Sequence, residues 1–146
     1  MANKRQQIMD AVKSRLQTIT TVNGYNTNLG NNVYEWKETA FAENEMPGID
    51  YHDSRCERFD GVLNRFRWRL NVELEIATQD ATAVSDVRKM IADVYKAIGT
   101  DDTWGGLAIT TGQPESDEMR VMKEERFIAG ALIGMFIIYE TSLWEN

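Results

Sequence analysis

The sequence contains a single histidine and a single cysteine among its 146 residues, His52 and Cys56. One cysteine cannot close a disulfide within the chain, so no disulfide framework is expected. Any metal site built from histidine and cysteine, and any cysteine–histidine nucleophile pair, must use these two residues. On a strand, Asp50, His52, Ser54 and Cys56 would share one face, which leaves a metal or ligand site there as an alternative, although their spacing matches no strong motif. We expect a polar strand with no metal and no cofactor.

Basic residues are also scarce. Lysine and arginine number 16 against 23 acidic residues, which gives a net charge of -7. A chain of this charge is repelled by nucleic-acid backbones and anionic membrane surfaces, so we expect no tight nucleic-acid binding and no membrane partner. Phe66 and Trp68 alternate with Arg65, Arg67 and Arg69, as in surfaces that stack single-stranded bases. The alternation of side chains along a strand argues against such a surface, because it places the rings and the guanidinium groups on opposite faces.

No apolar run is long enough to cross a bilayer as a helix. The longest, FIAGALIGMFIIY at residues 127–139, is shorter than the ~20 residues that a spanning helix needs. Gly130 and Gly134 have the spacing used by dimerising membrane helices. On a strand they lie on one face with room for another element to approach, and we expect a central strand buried on both faces. The first ten residues lack the apolar core of a signal peptide, so we expect cytoplasmic synthesis.

Catalytic motifs are absent too. The sequence holds no phosphate-binding loop, dinucleotide-binding glycine pattern, hydrolase nucleophile elbow or zinc-protease motif. Glu73 and Glu75 could act as an acid–base pair, but side by side on a charged strand they are more simply ion-pair partners. We therefore predict that the protein is not an enzyme.

The most regular stretch present is RFRWRLNVELEI at residues 65–76, where apolar and polar residues alternate without exception. This period of two predicts a strand with one face on a core and the other on water or a charged surface. Asp60-Gly61 before it is a strong hairpin signal. A strand over residues 62–77 would be about 50 Å long. Part of the hairpin should project beyond the body of the domain and gain a partner from outside the chain.

Two helices and several shorter strands complete the pattern. Ile8, Val12, Leu16 and Ile19 form one apolar helical stripe, and a second helix begins near Thr82 and closes at Gly99. Its apolar repeat could form a short coiled-coil seam, but packing on a sheet is the expected arrangement. Residues 33–41 and 49–59 are predicted strands, and residues 113–126 a solvated charged loop. The order predicts an α+β fold, mainly antiparallel with a long projecting hairpin and two main helices on one face, in one domain over residues 1–146.

These segments together resemble the tail-terminator, or tail completion, proteins of long-tailed bacteriophages, the group that contains the lambda minor tail protein U. The matching stretches, in the family's order, are IMDAVKSRLQTI, PGIDY, RWRLNVELEI, DDTWGGLAI and ALIGMFIIYET. The resemblance implies a structural phage or prophage protein without enzymatic activity. It implies a homo-oligomeric ring, in this family a hexamer, that caps the tail tube, stops its polymerisation and presents the surface that joins the head.

The resemblance also implies partners and a location. The partners are further copies of the chain, the tail tube protein and the head–tail connector protein, with DNA passing through the ring. The protein would assemble in the bacterial host cytoplasm and end in the virion tail. We expect the charged strand face to form the subunit interface, through Arg65, Arg67, Arg69, Glu73 and Glu75. A solvated face with local cross-strand pairs is the alternative.

Two other functions stay open from the sequence. One is another connector of a phage tail or tail-like device, which would bind elsewhere than the end of a tube. The other is a small cytoplasmic ligand-binding module or enzyme that uses the region around His52. The second alternative predicts a pocket at His52.

Overall fold

The computed structural model describes residues 3–62, 64–112, 116–123 and 127–146. Two α-helices pack beside a sheet that is antiparallel except for one short strand, which confirms the α+β prediction. The helices are α1 (Lys4–Gln17) and α2 (Ala83–Gly99). The strands are β1 (Val33–Glu35), β2 (Gly48–Val62), β3 (Arg65–Gln79), β4 (Thr110–Gly112), β5 (Asp117–Lys123) and β6 (Phe127–Ser142).

Helix α1 forms where the apolar stripe predicts it. The Asn3 side chain accepts a hydrogen bond from the Gln6 backbone N–H at 2.8 Å, which satisfies one of the free donors of the first turn. Ile8, Val12 and Leu16 are fully buried. The stripe therefore supplies one side of the core.

Helix α2 packs on the sheet rather than in a coiled coil. Its apolar residues Val87, Val94 and Ile98 join the same core cluster as β3 and β6. The helix ends at Gly99 as predicted. Thr82 precedes its first residue but makes no capping bond, because its hydroxyl donates to the Asp86 carboxylate at 2.8 Å instead.

The sheet has the strand order β1-β2-β3-β6-β4, and β5 pairs with β6 along the other half of the edge that β4 uses. Strand β1 runs parallel to β2 and every other described pair is antiparallel. The alternation in β3 places Leu70, Val72, Leu74 and Ile76 in the core, with both helices on that side. The opposite side chains of β3 thus face away from the helices.

The turn of the long hairpin lies three residues later than predicted. Asp60 and Gly61 are inside β2, which ends at Val62, and Val62 pairs with Arg65 at the start of β3. Asn64, next to Arg65, has φ 70°, and asparagine tolerates this left-handed conformation better than most residues. The chain therefore reverses between Val62 and Arg65 rather than at Asp60-Gly61, and β3 starts at Arg65 rather than at residue 62.

The hairpin is as long as predicted, but it is not a free strand pair. Strand β6 pairs with β3 along the whole length of β3, from Arg65 opposite Ser142 to Gln79 opposite Ile128. Near the distal end, the Trp68 indole N–H donates to the Thr141 hydroxyl at 2.8 Å. The chain itself thus supplies the third strand, whereas the sequence predicted that this partner would come from outside the chain.

One strand prediction and one loop prediction in the remaining segments are wrong. The strand predicted for residues 33–41 stops at Glu35, because Trp36 has φ 49° and turns the chain away from the ladder. The predicted loop at residues 113–126 contains strand β5, which pairs with β6 and is exposed over most of its length. An edge strand needs few apolar residues, so its charged sequence gave little sign of it. The rest of that predicted loop, residues 113–115 and 124–126, lies outside the described residues.

The expectation that residues 127–139 are buried on both faces is also wrong. Strand β6 is central and its odd-numbered residues from Ala129 to Tyr139 are buried, but its even-numbered residues are half-buried and Gly134 is exposed. The two helices cover one side of β6, so the other side keeps an apolar surface open. This surface leads to the candidate site.

Candidate subunit interface

Neither of the two helices packs on the second side of the sheet within the described ranges. We call this side the open face. It is formed mainly by alternate residues of β3 and β6, together with the neighbouring part of β2. In β3 and β6 these residues are Arg65, Arg67, Arg69, Asn71, Glu73 and Glu75, and Ile128, Leu132, Gly134, Phe136, Ile138 and Glu140.

The open face places an apolar row directly beside a charged row. Leu132, Phe136 and Ile138 of β6 are half-buried, and their cross-strand neighbours in β3 are polar. Glu75 lies opposite Leu132, and Arg69 lies opposite Ile138. Exposed apolar surface with a polar border is typical of protein interaction sites. The open face therefore has the composition of an interface.

All five residues predicted for the subunit interface lie on this face, and three of them have partners within the chain. Arg67 Nε donates to Glu140 Oε1 at 2.8 Å. Glu73 Oε2 lies 2.8 Å from Nε2 of His52. The Arg69 guanidinium lies over the Phe136 ring, 3.9 Å from its centre. Arg65 and Glu75 are exposed.

Arg67 and Glu73 thus form local cross-strand pairs of the kind that the alternative, a solvated strand face, expects. They do not test the interface reading, since an exposed ion pair is worth only about 0–1 kcal/mol and can exchange partners. Arg69 holds its charge on an aromatic face, where its N–H groups remain able to reach a carboxylate. The prediction that these residues form an interface therefore stays a prediction.

A groove of about 370 Å³ crosses the middle of the open face, and its lining includes Arg69, Glu73, Gly134 and Phe136. No close neighbour among the described atoms explains why residue 134 is a glycine. A Cβ added there would meet nothing within 4 Å among the described atoms, and its φ is not in the left-handed region. A Cβ on Gly130, by contrast, would lie 2.5 Å from the Ile76 carbonyl oxygen. Glycine weakens the interior of a strand, so an unexplained one often marks a place where another backbone comes close.

His52 lies at the border of the open face with a carboxylate at each ring nitrogen. Its Nδ1 is 3.0 Å from Asp50 Oδ2 and its Nε2 is 2.8 Å from Glu73 Oε2. The Trp36 ring packs on the imidazole with the ring centres 4.7 Å apart. Burial by itself would lower the pKa of His52, but the hydrogen bonds to Asp50 and Glu73 and the charges of both carboxylates outweigh it and raise the pKa above its ordinary value.

The structure separates Cys56 from His52. A bulge between Asp53 and Arg55 shifts the register, so Cys56 pairs with Leu70 and turns to the core side. The Cys56 sulfur lies 3.5 Å from the Tyr139 hydroxyl, on the face opposite His52. The predicted shared face is therefore right for Asp50 and His52 and wrong for Cys56, because the alternation of a regular strand does not hold through a bulge.

A comparison with models of known protein families gives no match to this sequence, and a comparison with curated proteins gives none either. Over the described part of the chain, no group of three or more histidine, cysteine, aspartate or glutamate side chains is placed to hold a metal ion. No described helix is long and apolar enough to cross a membrane. The open face is therefore the feature from which a function can be inferred.

Two components of the open face were not predicted as site residues. Phe136, with Arg69 packed on it, and Trp36, packed on His52, depend on contacts between residues far apart in the sequence. For the contact of Phe136, one sign was readable in the sequence, namely that Gly134 and Phe136 share a strand face. For the contact of Trp36 there was none, because the turn at Trp36 interrupts the predicted strand.

Proposed function

We propose that the protein is a structural tail protein of a phage or prophage. In this proposal, further copies of the chain assemble through the open face into a ring, six-membered in the family that the sequence resembles. The ring caps the tail tube, stops its polymerisation and presents the head-joining surface. Its partners are the tail tube protein and the head–tail connector protein, it assembles in the host cytoplasm, and it catalyses no reaction.

The observation that carries the proposal is the open face, which neither helix covers, with apolar Leu132, Phe136 and Ile138 beside charged β3 residues and an exposed glycine in the groove. A copy of the same chain is the best-matched occupant. The face carries both charge signs, with Arg65, Arg67 and Arg69 towards the distal end of the hairpin and glutamates towards the other end. Contacts of this kind fix orientation and register between like subunits.

The overall charge agrees with a ring around a DNA channel. At a net charge of -7, each subunit repels the phosphate backbone, so a genome would pass through the ring without being held. A head-to-tail contact between identical subunits closes into a ring when its rotation allows, and a closed ring is the form that can end a tube.

The first test reverses two charges on the open face. Arg67→Glu with Arg69→Glu should reduce ring formation, because it puts two negative charges where the proposed contact brings two positive charges towards the acidic end of a neighbouring face. The monomer should stay folded, since the Arg67–Glu140 pair is partly exposed and such pairs contribute at most about 1 kcal/mol. The mass is measured by light scattering coupled to size exclusion, and folding by circular dichroism.

The matched control changes the same charge on the helix side. Arg88→Glu with Lys89→Glu alters two exposed residues of α2 and should leave assembly unchanged. Equal loss of assembly in both double variants would assign the effect to net charge and remove the open face from the proposal. Unchanged assembly in the Arg67 and Arg69 variant would do the same.

The second test concerns the tube. Electron microscopy of purified tail tubes mixed with the protein should show added density at one end of each tube. Density along the walls, or binding to a portal instead of a tube, would favour the other connector role and contradict tail termination.

A further inference from the structure

The geometry around His52 requires its protonated form. A neutral imidazole carries one N–H and one lone pair, whereas both ring nitrogens here face carboxylate oxygens at 2.8 Å and 3.0 Å. Only the imidazolium can donate to Asp50 and Glu73 at the same time. A neutral ring would leave one nitrogen lone pair pointing at a carboxylate oxygen and remove the positive charge between two negative ones.

Asp50 also ties a surface loop to the sheet. Asp50 is 4% exposed, and its other oxygen accepts the Lys37 backbone N–H at 2.8 Å. Trp36 packs on the His52 ring, donates its indole N–H to Asp53 at 3.0 Å and donates its backbone N–H to the Tyr51 carbonyl oxygen at 3.1 Å. The ring packing and the bond to Asp50 therefore depend on the His52 cluster, whereas the bonds to Asp53 and Tyr51 do not.

Residues 36–37 begin a loop, 36–46, that lies against one end of the open face. Phe41 and Met46 line a cavity there together with Glu75 and Ile128 of the sheet. An ion pair of 3.1 Å between Lys37 and Glu45 joins the beginning of the loop to its far end. The far part of the loop has its own contact with the sheet, since the Gln79 side-chain amide donates to the Glu43 carbonyl oxygen at 3.5 Å. The contacts of residues 36–37 with the His52 cluster therefore hold the beginning of the loop only.

We propose that the His52 cluster is a proton-dependent latch: charged His52 strengthens the attachment of residues 36–37 to the sheet, and loss of its proton loosens them. Loosening changes the border of the open face beside the cavity that the loop forms with Ile128. Only the effect of the latch on assembly rests on the proposed function.

The surrounding charges fix the direction of the pH dependence. Asp50 of β2 and Glu73 and Glu75 of β3 are the acidic groups on this side, and Lys37 of the loop is the cation. Asp53 lies on the helix side, opposite Val72, and reaches the cluster only through the Trp36 indole. A fifth carboxylate, Glu35, precedes the loop, and Arg5 of α1 is paired with Asp53 at 2.7 Å. The acidic excess favours the imidazolium. Because the pKa of His52 is raised in the folded protein, the latch is fully closed below the ordinary histidine value and opens as pH rises through the raised value.

Hydrogen–deuterium exchange of the loop amides tests the latch. With intrinsic rates corrected for pH, protection of the Lys37 amide, which donates to Asp50, should fall roughly tenfold between pH 5.5 and 8.5, the size expected for one hydrogen bond to a charged group. The single histidine gives one NMR titration curve, and its midpoint should coincide with the loss of protection. Amides of α2 serve as the internal reference and should not change.

Two variants separate the latch from a general effect of pH. His52→Gln should leave the Lys37 amide weakly protected at every pH, without a step. Glu73→Gln removes one of the two carboxylates at an exposed position and should move both the titration midpoint and the step to lower pH. A step that persists in His52→Gln, or one that Glu73→Gln does not move, would overturn the latch. An intact latch in a protein whose mass is unaffected by reversal of Arg67 and Arg69 would instead refute only the proposed interface.

Discussion

Replacing Gly134 by valine should make the monomer more stable and the ring less stable. The added Cβ meets no described atom within 4 Å, so the branch point of the side chain fits the isolated subunit without a clash. Glycine in a strand costs roughly 0.5–1 kcal/mol relative to alanine, and valine is favoured further in strands. The free energy of unfolding of the monomer should therefore rise by about 0.5–1 kcal/mol. For a chain of this size that corresponds to about 1–4 °C in melting temperature.

At the interface, the same two methyl groups would occupy the space that a neighbouring backbone needs. Overpacking of a well-fitted contact costs about 1–3 kcal/mol, which is roughly a tenfold to hundredfold loss of affinity at each contact. Calorimetry of the dilute protein and sedimentation at higher concentration measure the two effects separately. Assembly that is equal in Gly134→Val and the unchanged protein would refute the argument that this glycine exists for an incoming backbone. A lower melting temperature of the monomer would refute the claim of open space.

Two further predictions concern the fold. Gly112→Ala should destabilise the protein by about 1–3 kcal/mol, because the new Cβ overlaps the Phe136 ring; denaturant unfolding measures it, and the loss should be smaller in a Phe136→Ala background if the overlap is the cause. The pKa of the Asp101 carboxyl is lowered to about 2, first by the Thr103 hydroxyl and then by backbone N–H groups. Asp101 therefore stabilises the fold fully at pH values above its ordinary pKa of 3.8, and this contribution is lost as the pH falls towards 2. The difference in unfolding free energy between the unchanged protein and Asp101→Asn should therefore shrink between pH 4 and pH 2, and a constant difference would contradict the assignment.

The elements with a strong period were predictable from the sequence. Both helices and β3 have an apolar repeat that local geometry and burial enforce together, and all three form within a few residues of the predicted bounds. Strand β5 was not predictable in the same way, because an exposed edge strand is defined by its pairing with β6 rather than by its own residues. The position of the hairpin turn also depended on pairing, since Asp60 and Gly61 fit a turn but the ladder continues through them.

The candidate site was predictable in its residues but not in its arrangement. The alternation of β3 assigned Arg67, Arg69 and Glu73 to one face, and the structure places them there. Their contacts with Glu140, Phe136 and His52 come from other strands and required the register of the sheet. The bulge after Asp53 had the largest consequence, since a shift of one residue moved Cys56 to the opposite face.

The most direct test of the central claim is the mass of the protein in solution, measured by light scattering over a concentration series at low and moderate salt. We predict one discrete ring-sized species, whose mass for six subunits of 16.7 kDa is about 100 kDa. The fraction of protein in this species should fall as salt screens the charged contacts. A mass of 16.7 kDa at every concentration and at both salt levels would contradict self-assembly through the open face.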